Sequence, residues 1–155
     1  MNAPALTGKG MALQLLGRKD EAAQAYVQAI QARNDHAPAL NNLAMLWADD
    51  DKTRQQALNL AMAAFTKANT DPAIIDTLGY ALLRNNRLEE ALRVLDRAVA
   101  LAGDNGAIHY HRALTLNELD RRQDAVAALE SALGTGDFED RAEAEKMLHA
   151  LQGTQ

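Results

Sequence analysis

Small residues recur along this 155-residue chain at intervals of 34 or 35 residues, and this repeat limits the folds that the chain can adopt. The clearest copy of the repeating unit spans residues 72–103, where two helical patterns are joined by a tight turn at Asn85 and Asn86. The residues in phase with this copy form three sets: Gly10, Ala44, Gly79 and Ala113; Ala22, Ala57, Ala91 and Ala125; and Ala29, Ala64, Ala98 and Ala132. A helix pair repeated at such a period predicts a solenoid, in which each unit packs on its neighbours.

The unit resembles the tetratricopeptide repeat (TPR), in which helix A carries a large apolar residue and a Leu-Gly pair and helix B carries a small–large–small triplet. In the clearest copy the family positions are filled by Ile75, Leu78, Gly79, Leu82, Ala91, Leu95 and Ala98. The first and fourth units depart from the pattern, because Lys9 and Arg112 replace the Leu and His109 replaces the large apolar residue. No unit has the family's closing Pro. The resemblance implies an all-α, TPR-type right-handed superhelical solenoid with the A helices on its concave side.

Because the repeats cover nearly the whole chain, we expect a single TPR array over residues 1–155. Four helix-turn-helix repeats are predicted at about residues 3–36, 37–71, 72–105 and 106–137, followed by a C-terminal capping helix at about 138–151. The capping helix has one apolar stripe at helical spacing, formed by Ala144, Met147, Leu148 and Leu151. A helix with one polar face is typical of the end of such an array.

Residues with known end preferences mark the helix boundaries. Gly17 is expected to end the first helix, and Asn85 and Asn86 are expected to form a turn, because Asn tolerates the left-handed conformation. Thr53 and Asp71 are the expected N-caps of their helices.

The first helix is predicted to bury Leu6, Leu13 and Leu16, and the family geometry places Gly79 opposite Ala91. No helix precedes the first one in this sequence, so part of its apolar flank is expected to be uncovered, with Leu6 and Leu13 as the sensitive positions. Two alternatives follow: further repeats precede it in a longer protein, or this end self-associates.

Composition and motifs exclude several classes of function. The net charge of -5 disfavours nonspecific binding to nucleic acid or to an anionic membrane. Since no apolar run approaches the roughly 18 residues of a membrane span, and no signal peptide is visible, we expect no direct membrane insertion. The chain is expected to be soluble, and its compartment stays open between the cytoplasm and the bacterial periplasm.

No arrangement of residues predicts catalysis. The chain lacks cysteine, and His109 and His111 are two residues apart, so they point in different directions on a helix and cannot share a metal. The segment Thr7-Gly8-Lys9-Gly10 lacks the first Gly and the final Ser or Thr of a phosphate-binding loop. The run Asp49 to Asp51 lacks the alternating ligands of a calcium loop; it is interpreted as a solvated turn, with a patch for a basic partner as the alternative. We therefore expect no enzyme, no cofactor and no metal site.

The resemblance to TPR proteins implies a peptide-binding groove on the outward positions of the A helices. By repeat phase the predicted groove residues are Asn41, Asn42 and Met45; Asp76, Thr77, Tyr80 and Arg84; and Tyr110, His111, Leu114 and Asn117. Asn can pair with a peptide backbone and Tyr offers amphipathic area, although any such solenoid must present some residues to the solvent here. Arg84 is the only groove cation of the Lys and Arg type, so a ligand with an acidic chain end is disfavoured.

A narrower resemblance concerns four runs, at residues 39–47, 71–83, 108–116 and 138–151. They are similar to the C-terminal repeats of bacterial TPR lipoproteins of exosortase (PEP-CTERM) and exopolysaccharide systems, which implies the end of a longer, exported solenoid. The leading hypothesis is a non-enzymatic scaffold that binds a protein or peptide segment in its groove. The alternative is a structural spacer, or a module that self-associates through its N-terminal repeat.

Overall fold

The structure is a computed structural model that describes residues 2–153. Within that range it contains nine α-helices and no β-strand. The helices are α1 (Ala3–Leu15), α2 (Lys19–Ala32), α3 (Ala37–Trp47), α4 (Arg54–Lys67), α5 (Pro72–Arg84), α6 (Leu88–Leu101), α7 (Gly106–Glu118), α8 (Arg122–Gly134) and α9 (Arg141–Gly153). The predicted all-α fold, with four helix pairs followed by one further helix, is confirmed.

The array is curved, and the odd-numbered helices line its inner side. Among the described residues α1 contacts α3, α3 contacts α5, α5 contacts α7 and α7 contacts α9, whereas the even-numbered helices make no such contacts with one another. Successive odd-numbered helices therefore lie closer together than successive even-numbered helices. The odd-numbered helices therefore form the concave side, which we call the groove.

The two helices of each pair approach closely where small and large side chains complement each other. A Cβ atom added at Gly79 would lie 2.5 Å from Leu95 Cγ, and one added at Gly10 would lie 2.4 Å from Tyr26 Cε1. The side chain that covers Gly79 most closely is Leu95, four positions beyond Ala91 on α6. The two large residues in these contacts, Leu95 and Tyr26, are fully buried.

The helix ends mostly follow the sequence signals. Gly17 and Asn86 adopt the left-handed conformation, with φ of 75° and 57°. The Asp71 carboxylate accepts a hydrogen bond from the backbone N–H of Ala73 and caps α5, as predicted. Thr53 precedes α4 but does not cap it, because its hydroxyl instead donates to the carbonyl of Trp47.

Two expectations about the ends of the array change. Leu6 and Leu13 are buried, whereas Leu16, predicted to be buried, is 70% exposed because it lies just beyond the end of α1, where the chain turns away from the core. The last helix begins at Arg141 rather than near residue 138, so residues 135–140 cross between α8 and α9 without helical structure. None of the helices between Ala3 and Gly153 combines the length and the apolar character that crossing a membrane requires.

Candidate binding groove

The structure places the predicted groove residues at different depths. Asp76, Thr77, Tyr110 and His111 are buried, so these four predicted groove residues are not presented to the solvent in this structure. The reason is that consecutive A helices pack against one another along the groove, which covers side chains at the helix–helix junctions. The other predicted groove residues are half-buried: Asn41, Asn42, Met45, Tyr80, Arg84, Leu114 and Asn117.

A buried ion pair joins α5 to α7 across the floor of the groove. His111 Nδ1 lies 2.8 Å from one carboxylate oxygen of Asp76 and 3.0 Å from the other. Burial disfavours the charged imidazole, but the neighbouring Asp76 carboxylate more than compensates, and the pKa of His111 is raised above its ordinary value. The pair therefore links two neighbouring repeats through a charged contact that is shielded from water.

Tyr80 covers this ion pair from the groove side. Its ring stacks on the imidazole of His111 with the ring centroids 4.4 Å apart, and its hydroxyl donates to Asp49 Oδ1 at 2.5 Å. Burial, followed by the bond to Asp49, raises the pKa of the Tyr80 hydroxyl well above its ordinary value. Arg84 Nε lies 3.1 Å from the same Asp49 oxygen and forms an ion pair with it. Four predicted groove residues, Asp76, Tyr80, Arg84 and His111, thus form one connected unit with Asp49.

The connection between α8 and α9 packs against the first turns of α7, in the C-terminal half of the groove. A Cβ atom added at Gly106, the first residue of α7, would lie 2.4 Å from Thr135 Oγ1 and 2.5 Å from the ring of Phe138. The Phe138 ring also contacts the ring of Tyr110, with centroids 6.3 Å apart. The segment therefore lies directly on α7, over the surface that the sequence predicted to be free for a ligand.

The same connection makes the groove acidic. Asp140 is half-buried, and burial raises the pKa of its carboxyl, an effect that nearby His111 opposes and that Glu139, Glu143 and Asp49 reinforce. These acidic neighbours come from three different parts of the chain, so the negative potential belongs to the folded groove and not to one helix.

The N-terminal half of the groove remains open. A pocket of about 550 Å³ lies between α1, α3 and the α8–α9 connection. Its lining, which we call the N-terminal pocket, consists of Met11, Gln14, Leu15, Tyr26, Asn42 and Glu139. Beside it, the buried Asn41 Oδ1 has no hydrogen-bond partner within the described part of the chain, although the Asn41 amide nitrogen donates to Asn42 at 3.4 Å.

The remaining predicted residues lie away from this pocket. Leu114 lines a smaller pocket of about 240 Å³ with Tyr80, Arg84 and Glu118. Asn117 is half-buried near the end of α7. Residues 2–153 contain no group of three or more side chains positioned to hold a metal ion.

The predicted groove residues do not include Asp49, Phe138, Glu139 and Asp140, nor any residue of α1, where Met11, Gln14 and Leu15 line the N-terminal pocket. Asp49 was grouped with a solvated turn; it is exposed, but it also holds Tyr80 and Arg84. Phe138, Glu139 and Asp140 were placed in the capping helix. One signal was available for them, since the Gly134-Thr135-Gly136 stretch allows the chain to leave the helical path before residue 138.

Comparison with known families agrees with this architecture. Residues 3–36 and residues 72–115 each match a family model described as tetratricopeptide repeat. No curated protein matches the chain in a sequence search.

Several solved structures share the fold. A thermophilic TPR protein of Thermus thermophilus is 23% identical, with a TM-score of 0.86 over 97% of this chain and 83% of that one. MamA from Desulfovibrio magneticus is 22% identical, with a TM-score of 0.66 over 99% of this chain and 77% of that one. A chain of the APC/C hetero-tetramer Cut9–Hcn1 is 18% identical, with a TM-score of 0.82 over 97% of this chain and 30% of that one. At these identities the likeness establishes the fold alone.

Proposed function

Because the chain is a tetratricopeptide repeat solenoid, we propose that it is a protein-binding scaffold that holds a peptide segment of its partner in the N-terminal half of the groove. Repeats of this type mediate protein–protein interaction, which supports the general role. The observation that carries the specific proposal is the N-terminal pocket, which is open, lies on the concave side and combines apolar side chains with amide groups. Pockets of this size and mixed lining suit a few side chains of a bound segment.

The polar groups beside the pocket have a use in such binding. Asn41 and Asn42 are half-buried, and the buried Oδ1 of Asn41 lacks a partner within residues 2–153. A buried acceptor without a hydrogen bond destabilises a fold unless a ligand supplies the donor. An N–H group of a peptide backbone would supply that donor, and the amide nitrogens could donate to peptide carbonyls.

The proposal is tested by affinity capture from native cell extract with three baits: wild type, Asn42→Arg and Asn59→Arg. Asn42 lines the pocket, whereas Asn59 is exposed on α4 on the convex side. We expect a partner, identified by mass spectrometry, that is retained by wild type and by Asn59→Arg and lost with Asn42→Arg. If Asn42→Arg and Asn59→Arg capture the same proteins, a role of this half of the groove in binding is contradicted.

A second candidate function is self-association through the first repeat. It is favoured by the exposure of Leu15 and Leu16, which are 90% and 70% exposed at the end of α1. Burial of such side chains between two copies would be favourable. If this function is correct, the mass measured by sedimentation equilibrium rises with concentration and the rise disappears in Leu15→Glu. A monomer at every concentration removes this candidate.

For the biological setting we propose a larger bacterial TPR protein of an exopolysaccharide system. The support is the resemblance of the four runs described in the sequence. This setting predicts that the reading frame continues upstream of Met1 into further repeats, which sequencing of the gene tests directly.

A further inference from the structure

The chemistry of the N-terminal pocket restricts what can bind there. One wall is apolar and comes from α1, where Met11 is 52% exposed and Leu15 is 90% exposed. The opposite wall comes from the far end of the chain, where Glu139 is exposed and makes no ion pair within residues 2–153. The pocket thus presents an apolar surface and an unpaired carboxylate that face the same space.

No cation in the pocket neutralises this carboxylate. The six lining residues include no Lys, Arg or His. Arg141 lines a neighbouring pocket together with Glu139, but it pairs with Glu145. The groove cations Arg84 and His111 pair with Asp49 and Asp76. Deeper in the groove Asp140 adds another negative charge close to Glu139, and this proximity contributes to the raised pKa of Asp140.

We propose that the N-terminal pocket binds a peptide segment that carries an apolar side chain next to a Lys or Arg. The apolar side chain packs between Met11 and Leu15, and the cation pairs with Glu139. This inference rests on the proposed function, because it names the ligand chemistry of the same groove. It commits to a basic, amphipathic segment, since an acidic segment would place like charges together and a wholly apolar one would leave Glu139 desolvated and unpaired.

The shape of the site also restricts the length of the segment. The α8–α9 connection covers α7, so a bound peptide cannot run along the whole groove as an extended chain. It contacts α1 and α3 on one side and residue 139 on the other. Affinity then depends on a few side chains and on the Glu139 pair, which predicts binding that weakens strongly as salt is added.

A selection experiment tests the ligand class without a known partner. A random dodecapeptide phage library is selected against wild type, and the enriched peptides are measured by fluorescence anisotropy at low and high salt. Two variants accompany the wild type: Glu139→Lys, which reverses the charge in the pocket, and Glu130→Lys, which makes the same change at an exposed residue of α8 on the convex side. Far-UV circular dichroism confirms that both variants are folded.

We expect enriched peptides with Lys or Arg beside Leu, Ile, Met or Phe, a Kd at least tenfold weaker for Glu139→Lys, and a change below twofold for Glu130→Lys. Enrichment of acidic or uncharged peptides that Asn42→Arg releases would overturn the ligand class while leaving the peptide groove intact. Equal weakening by both charge reversals would overturn the inference, because it would show attraction by net charge alone. If no peptide is enriched, both the inference and the proposed groove fail.

Discussion

The contact between Gly10 and Tyr26 allows the packing of a helix pair to be measured with a matched control in the same helix. A Cβ atom added at Gly10 would lie 2.4, 2.6 and 2.9 Å from three ring atoms of Tyr26, whereas one added at Gly8 meets nothing within 4 Å. Both glycines lie inside α1, so each Gly→Ala change gains the same helix propensity, about 0.8–1 kcal/mol. The two variants therefore differ in the surroundings of the added methyl group, which is exposed at Gly8 and buried against the Tyr26 ring at Gly10.

The free-energy cost of the clash between an added Cβ atom at residue 10 and the Tyr26 ring follows from the geometry. Carbon atoms pack favourably at about 3.5–4.0 Å, so the Tyr26 ring would have to move by roughly 1 Å. The movement of the ring is restrained, because Tyr26 is fully buried and its hydroxyl donates to Gln14 at 3.0 Å. Overpacking of this kind costs about 1–3 kcal/mol. Gly8→Ala should thus be more stable than wild type by up to about 1 kcal/mol, and Gly10→Ala less stable than Gly8→Ala by about 1–3 kcal/mol.

Urea denaturation followed by far-UV circular dichroism measures this difference as a shift of the midpoint at constant m. A further change, Tyr26→Ala, removes the ring, and in that background Gly10→Ala should stabilise the protein as Gly8→Ala does. Equal stability of Gly8→Ala and Gly10→Ala would refute the reasoning, because it would mean that the Tyr26 ring moves aside at no cost in free energy.

Two further predictions concern polar contacts. Asp76→Asn leaves buried His111 without its carboxylate and should lower the free energy of unfolding by roughly 3–5 kcal/mol. The pKa of His111 is raised in the folded protein, so the stabilisation that the His111–Asp76 pair provides depends on pH. It is fully present below the ordinary pKa of 6.5 and is lost as the pH rises through the folded pKa. Urea titrations across this pH range should show that the difference in the free energy of unfolding between wild type and Asp76→Asn becomes smaller as the pH rises. A difference that does not change with pH would contradict a charged pair. Asp71→Ala removes the α5 cap and should cost about 1 kcal/mol, whereas Asp104→Ala, at an exposed loop residue without a capping bond, should leave the thermal midpoint unchanged.

The helix pairs could be predicted because their determinants are local and periodic. Glycine or alanine at fixed intervals sets the close contacts, and Gly17 and Asn86 supply the left-handed residues that the turns require. The side chain that contacts each small residue was harder to predict. The sequence indicates which helix faces meet, but not which side chain of the neighbouring helix packs against the small residue. The family geometry places Gly79 opposite Ala91, and only the structure shows that Leu95 lies closest to the glycine.

The groove could be predicted only in outline. Repeat phase gives the face of a helix on which a residue lies, but burial depends on how closely neighbouring A helices approach. His111 and Asp76 are 35 residues apart and meet only because α5 packs against α7. The path of residues 135–140 was not predictable either, because it follows from contacts with Gly106 and Tyr110 rather than from any periodic pattern.

The distribution of aromatic residues connects the fold to the groove. The chain has six aromatic residues, and three of them, Tyr80, Tyr110 and Phe138, lie around His111 or next to a residue that does. The repeat itself does not require them, because its close contacts are made by small residues against Leu or Tyr26. They shield a buried ion pair from water and cover the first turns of α7 in the C-terminal half of the groove. What stays open is the half in which Met11, Leu15 and Glu139 face one another, so the residues that stabilise the array also determine where a ligand can enter it.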